Sequence, residues 1–323
     1  MHTNEQVQTQ QQYLFQEAIN DAERDRLLIQ HKLLYPSFEA TLKQILDEWG
    51  LAQKLEAAAE GGSSFTILDL GCGEGLFLFD IAATLAQRGW LSANVILYGL
   101  DNSETAIATA EVFSKQQPDP IHNLEFYLHD VTKSLDDCAG LKWQTNQSVS
   151  NLQFDFILAS QLFEHLPQAQ LHLTRIYNQN LKPGGIIYVR DFTFAQAGWL
   201  APHPAMQTIF AKSCELVLSL NAGFDVAQHH LEWLEQLGAA ILSTAQTVLA
   251  TGTDERGLLM ARNFIMITRN VAPVLIKLGK LDRAEYETAF AQIFKEFSAE
   301  TPGHLVSFDT VACKPLFDKE SLQ

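Results

Sequence analysis

Residues 65–76, FTILDLGCGEGL, constrain this chain more than any other stretch. An apolar run with Asp69 near its end is followed at once by Gly71, Gly73 and Gly75, and a helical pattern starts at Leu76. Strand, glycine turn and helix form the βα unit that delivers a nucleotide-like ligand to a helix N-terminus. Glycine suits the turn because a side chain would hold the ligand off the backbone, and a positive φ costs glycine little. The spacing is G-x-G-x-G, not the dinucleotide pattern G-x-G-x-x-G, so a hydride-transfer site is not expected.

With 323 residues, 47% hydrophobic content and 20 phenylalanines, the chain can build one large α/β domain with additions, or two small domains. Its formal net charge of −16 disfavours a nucleic acid as partner, since phosphate tracking needs the opposite balance. Cys72, Cys138, Cys214 and Cys313 are scattered without a C-x-x-C pair, which favours a reducing compartment. The polar, glutamine-rich start and the lack of a long uncharged span lead us to expect a cytoplasmic chain with no membrane partner.

Taken in order, residues 13–34 and 38–59 read as two helices separated by Pro36, and 61–64 as a linker into the central strand. These helices are either a packed extension or a lid. Helix 77–88 and strand 94–100 follow, closed by Asp101-Asn102-Ser103 and a helix at 104–115. Asp101 can accept from two ribose hydroxyls, while Ser103 or Asn102 caps the helix. A strand at 124–128 closes with His129-Asp130-Val131, where a loop aspartate commonly serves a turn. The strand at 154–160 ends in Ser160 and runs into QLFEHLP, with His165 at the mouth of the site. Pro167 suits the start of the next helix. A Lys182-Pro183-Gly184-Gly185 stop precedes a strand at 186–190 that ends in Asp191.

This ordered series resembles the class I S-adenosylmethionine-dependent methyltransferases: a hydrophobic strand, an acid and G-x-G-x-G, then an acid after the second strand and an L-K-P-G-G turn before the fifth. The resemblance covers residues 65–191 closely and extends in outline to 269. It implies a doubly wound, Rossmann-like α/β fold with a seven-stranded, mostly parallel sheet. It also implies S-adenosylmethionine as cofactor, held by Asp69, Gly71, Cys72, Gly73, Gly75, Asp101, Asn102, Asp130, Val131 and Ser160. Cys72 reads as a small filler of the turn. The antiparallel hairpin that closes the family's sheet is expected from strands 240–250 and 258–268, after a helix at 225–237.

The expected organisation is a helical extension or lid at 1–62, the methyltransferase core at 63–270 with a substrate insertion at 192–223, and an appendage at 271–323. A helical stripe and a β-like run at 304–313 leave three roles open to the appendage: an added edge strand, a cover for one face, or a contact in a homodimer.

The implied reaction is methyl transfer to a small-molecule acceptor, with oxygen the expected nucleophile. Alignment and water exclusion do most of the work, and a general base helps when the acceptor is an alcohol or weakly acidic phenol. Candidate catalytic residues are His165, Asp191 and His203, with His229 and His230 weaker. His165 can equally be a structural histidine. Gln161…Glu164-His165 resembles a loop that holds a divalent ion in quinone-biosynthesis O-methyltransferases. Gln161 stands where an acid would be expected, so no metal is assigned. N-methylation, a peptide or protein acceptor, and a non-catalytic cofactor-binding protein are the alternatives.

Overall fold

A computed structural model describes residues 21–117, 121, 123–138, 152–193, 196, 204–219, 225–296 and 303–316. Its centre is a seven-stranded sheet of order β3-β2-β1-β4-β5-β7-β6. The strands are β1 (Phe65–Leu70), β2 (Val95–Asp101), β3 (Leu124–Leu128), β4 (Phe154–Ser160), β5 (Leu181–Thr193), β6 (Ala240–Ala250) and β7 (His304–Cys313). β1 to β5 pair in parallel, and β7 runs antiparallel to both β5 and β6. Strand order reverses between β1 and β4, and a doubly wound sheet binds its ligand at the carboxyl ends beside such a switch.

β1 is buried at every position, as a central parallel strand covered on both faces must be. One face carries α1 (Asp21–Asp47), α2 (Leu51–Ala59), α3 (Leu76–Gln87) and α4 (Glu104–Gln116), whose apolar sides pack with Ile67, Phe156 and Tyr188. The other carries α5 (Ala169–Arg175), continued by a π-helical turn at Ile176–Asn180, and α7 (His230–Gln236), packed with Leu68, Ile157 and Val189. A third cluster joins α1, α6 (Pro204–Ser219) and α8 (Glu255–Lys277) around Phe192 at the end of β5. α9 (Arg283–Glu296) packs on α6 and α8.

The parallel strands and their helices follow the sequence closely, with four corrections. The stretch 258–268, expected as a strand, lies inside helix α8. Asp254 caps that helix by accepting from the Gly257 amide at 2.7 Å, and Glu255 favours the first turn. Exposed Arg262 and Arg269 recur at helical spacing, but the apolar run Phe264-Ile265-Met266-Ile267 between them reads locally as a strand. Gly257 serves close packing rather than a turn, since a Cβ there would meet the Gly252 backbone at 2.3 Å. The strand that closes the sheet is His304–Cys313, so the sheet reaches into the region read as an appendage, and the boundary at 270 cuts through α8.

Pro36 does not end a helix either; α1 runs through it to Asp47. A proline removes a hydrogen bond and crowds the preceding turn. The carbonyl it deprives is that of Lys32; the next two carbonyls take side-chain donors, Arg256 to Leu33 O at 3.2 Å, and Arg190 (3.3 Å) and Ser37 (2.9 Å) to Leu34 O. Finally, β5 begins at Leu181, so Lys182-Pro183-Gly184-Gly185 is an irregular start to the strand. The register with β4 shifts there, between Phe154 and Phe156.

Candidate active site

The glycine turn leaves β1 with Gly71, Gly73 and Gly75 at φ of +69°, +54° and +80°. The three glycines have different surroundings. A Cβ at Gly71 would meet Leu162 at 2.9 Å and one at Gly75 would meet the Phe126 ring at 2.7 Å, whereas nothing lies within 4 Å of one at Gly73. Gly73 therefore opens onto unfilled space. Asp101 reaches across from β2: its Oδ2 accepts from the Gly73 amide at 2.9 Å and its Oδ1 from the Ser103 amide at 2.8 Å. Ser103 caps α4 through the Ala106 amide, as expected. Asp101 is thus engaged by the backbone yet keeps lone pairs for a ligand, since a carboxylate offers about four acceptor sites.

Asp69 is 2% exposed and its Oδ2 has no hydrogen-bond partner. Burial, then the charge of Asp101, pushes its carboxyl well above the usual range. An orphaned buried acid beside an open glycine turn fits the ammonium of a bound amino acid. Cys72 is buried beside Gly99, and burial pushes its thiol up strongly, so it is no nucleophile in this state. At the end of β3, Asp130 Oδ1 accepts from the Thr132 amide (2.9 Å) and hydroxyl (2.7 Å), the turn role. Arg175 donates to the carbonyls of Val131 and Thr132, fixing the loop, and Val131 is buried.

Glu74 lies inside the glycine turn and was not singled out from the sequence. Arg24 of α1 pairs with it at 3.2 Å and lies over the Phe113 ring at 4.8 Å. His31 and Asp80 make a second contact at 2.7 Å between α1 and α3. The segment before the glycine turn therefore lies directly against it.

The second cluster sits at the carboxyl ends of β4 and β5. Ser160 Oγ is buried without a partner, and Gln161 adopts φ +57° with its carboxamide likewise unpartnered. Such a strained non-glycine residue is uncommon and clusters at functional sites. Glu164, 3% exposed, accepts from the Phe192 amide at 2.8 Å through Oε2, while Oε1 lies 3.3 Å from His165 Nε2. Behind them Asp191 and His230 are both fully buried. His230 Nε2 stands 3.2 Å from Asp191 Oδ2 but off the line that a hydrogen bond requires. Burial first, and the charge of Glu164 second, push Asp191 well above the carboxylate range; burial depresses His230 to about 3.

The structure thus brings His165 and Asp191 together and adds Glu164 and His230 to them. Glu164 was visible only as part of a loop pattern, and its role depends on an amide of another strand. The expected catalytic residue His203 lies outside the described residues. His229 is exposed on α7's approach and faces Glu232 at 3.8 Å. No described helix is long and apolar enough to cross a membrane.

A family model described as a methyltransferase domain matches residues 62–244, more than half of the chain. No curated protein matches the chain in sequence. Among solved structures, the cyclase SpnF aligns with 18% identity over 83% of this chain and 80% of its own, at a TM-score of 0.45. The cyclopropane synthase MmaA2 from Mycobacterium tuberculosis aligns with 14% identity over 81% and 83%, at 0.44. Phosphoethanolamine N-methyltransferase 2 from Haemonchus contortus, solved with S-adenosyl-L-methionine, aligns with 15% identity over 81% and 52%, at 0.41. The chain belongs to the methyltransferase-domain family and is a class I methyltransferase that uses S-adenosylmethionine as its methyl donor.

Proposed function

We propose that the acceptor is a small molecule methylated on oxygen, and that His165 takes the acceptor's proton. The observation that carries this reading is the cluster of Glu164, His165, Asp191 and His230 between the ends of β4 and β5. When bound, S-adenosylmethionine supplies an electrophilic sulfonium methyl, so the protein has no electrophile to activate. Asp69 would meet the donor's ammonium, the Gly71–Gly75 turn its amino-acid end, and Asp101 with Asn102 its ribose. Val131 would lie against the adenine, with Asp130 at its edge, and Ser160 would close the pocket.

At the other side, Glu164 anchors the loop to the Phe192 amide and faces Nε2 of His165. A carboxylate in that place holds the ring's orientation and stabilises the proton it gains. Asp191 and His230 are too deeply buried to touch an acceptor and support the loop from behind. Phe192, with Ile209 and Met260 around it, supplies an apolar wall at the end of β5 that excludes water.

The test is methyl transfer from labelled donor to matched panels of phenols, alcohols and amines. Label on oxygen, with His165→Ala lowering turnover by about 10²- to 10⁴-fold and leaving affinity for S-adenosylhomocysteine unchanged, supports the reading. Label on nitrogen alone, or an equal loss of affinity and turnover, rejects it.

A further inference from the structure

The two edges of the sheet are protected very differently. β3 is 5 residues long and carries Glu125, and His129-Asp130 follow it directly. β6 is 11 residues long, AILSTAQTVLA, with no charge, proline or glycine in it. Among the described residues no strand pairs with its outer side. Edge strands ordinarily carry charges, prolines or bulges because a row of unpaired amides and carbonyls templates another strand. The device present on β6 is a bulge at its start, where the register with β7 shifts between Ile241 and Ser243. From Ser243 onward the ladder is regular, and Thr244, Ala245, Gln246 and Val248 are exposed, Val248 at 54%.

The residue classes of this strand, though not its residues, run alike in both directions about Ala245, with polar Ser243 and Thr244 mirrored by Gln246 and Thr247 and apolar residues beyond them on each side. An antiparallel copy centred there sets Thr244 opposite Gln246 and Ser243 opposite Thr247. Residues directly opposite share a face, and these pairs do. Stepping over the bulge at Leu242 brings Ile241 opposite Val248, apolar against apolar, with both on the face of Ala312 and Val306. A foreign strand would have no reason to match this symmetry. In a chain of net charge −16, two copies repel over most of their surfaces, and an uncharged edge is where they can approach.

We infer that β6 is the interface of a two-fold homodimer, in which the β6 strands of two copies pair antiparallel about Ala245 and join their sheets into one. Such an interface is isologous, and its closure limits growth to two copies. Gln246 donates to Gln196 at 2.9 Å, which steadies its side chain without using the strand's outer backbone edge.

Sedimentation of the full chain at micromolar concentration tests this, with circular dichroism and S-adenosylhomocysteine affinity as checks of the fold. The unaltered chain is expected at twice the chain mass. Thr244→Lys combined with Gln246→Lys places like charges across the axis and should give a monomer. Thr244→Lys combined with Gln246→Glu places opposite charges there and should keep the dimer. A monomeric unaltered chain, a dimer that survives the like-charge pair, or equal dissociation of both double variants would each overturn the inference.

Discussion

The two halves of the sheet reach similar shapes by opposite routes. The half ending in β3 comes from one run of chain, residues 65–128, in which each strand is followed by the loop that bears the residues we propose hold the donor. The half ending in β6 collects β5, β7 and β6 from distant stretches and fastens them with a buried ion pair. In it Arg190 donates to Asp309 through Nε (2.6 Å) and Nη2 (2.8 Å) from the directly opposed position on β7. In the first half the proposed donor contacts come from local motifs. In the second the proposed acceptor side is built from residues that meet only when the fold is complete.

The sharpest way to break this contrast is at Arg190. Arg190→Met strands the Asp309 carboxylate in the interior and removes donors from Ser37 and Leu34. It should cost about 3–5 kcal/mol of stability, measured by urea unfolding. A loss near zero would mean that the second half does not rely on this pair.

Next come the glycines of the first half. Gly75→Ala drives a Cβ into Phe126 and should cost about 1–3 kcal/mol of stability. Gly73→Ala meets no neighbour, so it should carry only the strain of a positive φ, which Gly75→Ala shares, and weaken S-adenosylhomocysteine more than about tenfold in calorimetry by filling open space. If both variants lose stability alike, the distinction between a packed and an open glycine fails. Asp101→Ala should weaken the same ligand by about 1–3 kcal/mol; unchanged affinity would remove Asp101 from the site.

The remaining effects are slopes against pH, and they run in opposite directions. Asp69 has a folded pKa above its unfolded one, so the stability it contributes is complete at low pH and is lost as pH rises through the folded value. Asp69→Asn should therefore stabilise the ligand-free chain at neutral pH. His230 is depressed to about 3, so its contribution is present above about 6.5 and is lost as pH falls toward 3. Asp191, raised like Asp69, opposes it in the same half. His230→Leu should flatten the acid limb of stability between those values. An unchanged limb would show that His230 titrates normally.

This division explains what could be read before folding. β1, β3, β4 and β6, the glycine turn and Asp101 were legible because each announces itself within a few residues. Helix α8 was not, since the short apolar run Phe264-Ile265-Met266-Ile267 looks like a strand when read without Arg262 and Arg269, which flank it at helical spacing. The continuity of α1 through Pro36 was hidden as well, because the packing that holds the helix together there, including Arg190 and Arg256 on the neighbouring carbonyls, comes from far along the chain. Glu164 and His165 were visible as a pair of letters. That Glu164 is tethered to Phe192, with Asp191 and His230 behind it, is a property of strand ends brought together.

The position of β7 between β5 and β6 also has a consequence for synthesis on the ribosome. β5 and β6 emerge first and cannot pair with each other in the final arrangement. Their facing edges must wait while α8 and α9 are made, and only then can β7 slide between them. The cofactor half can be complete during that interval, because every strand it needs has already left the tunnel. The nascent chain would then acquire its donor pocket early and its acceptor wall last, with two open strand edges exposed to chaperones or to aggregation in between.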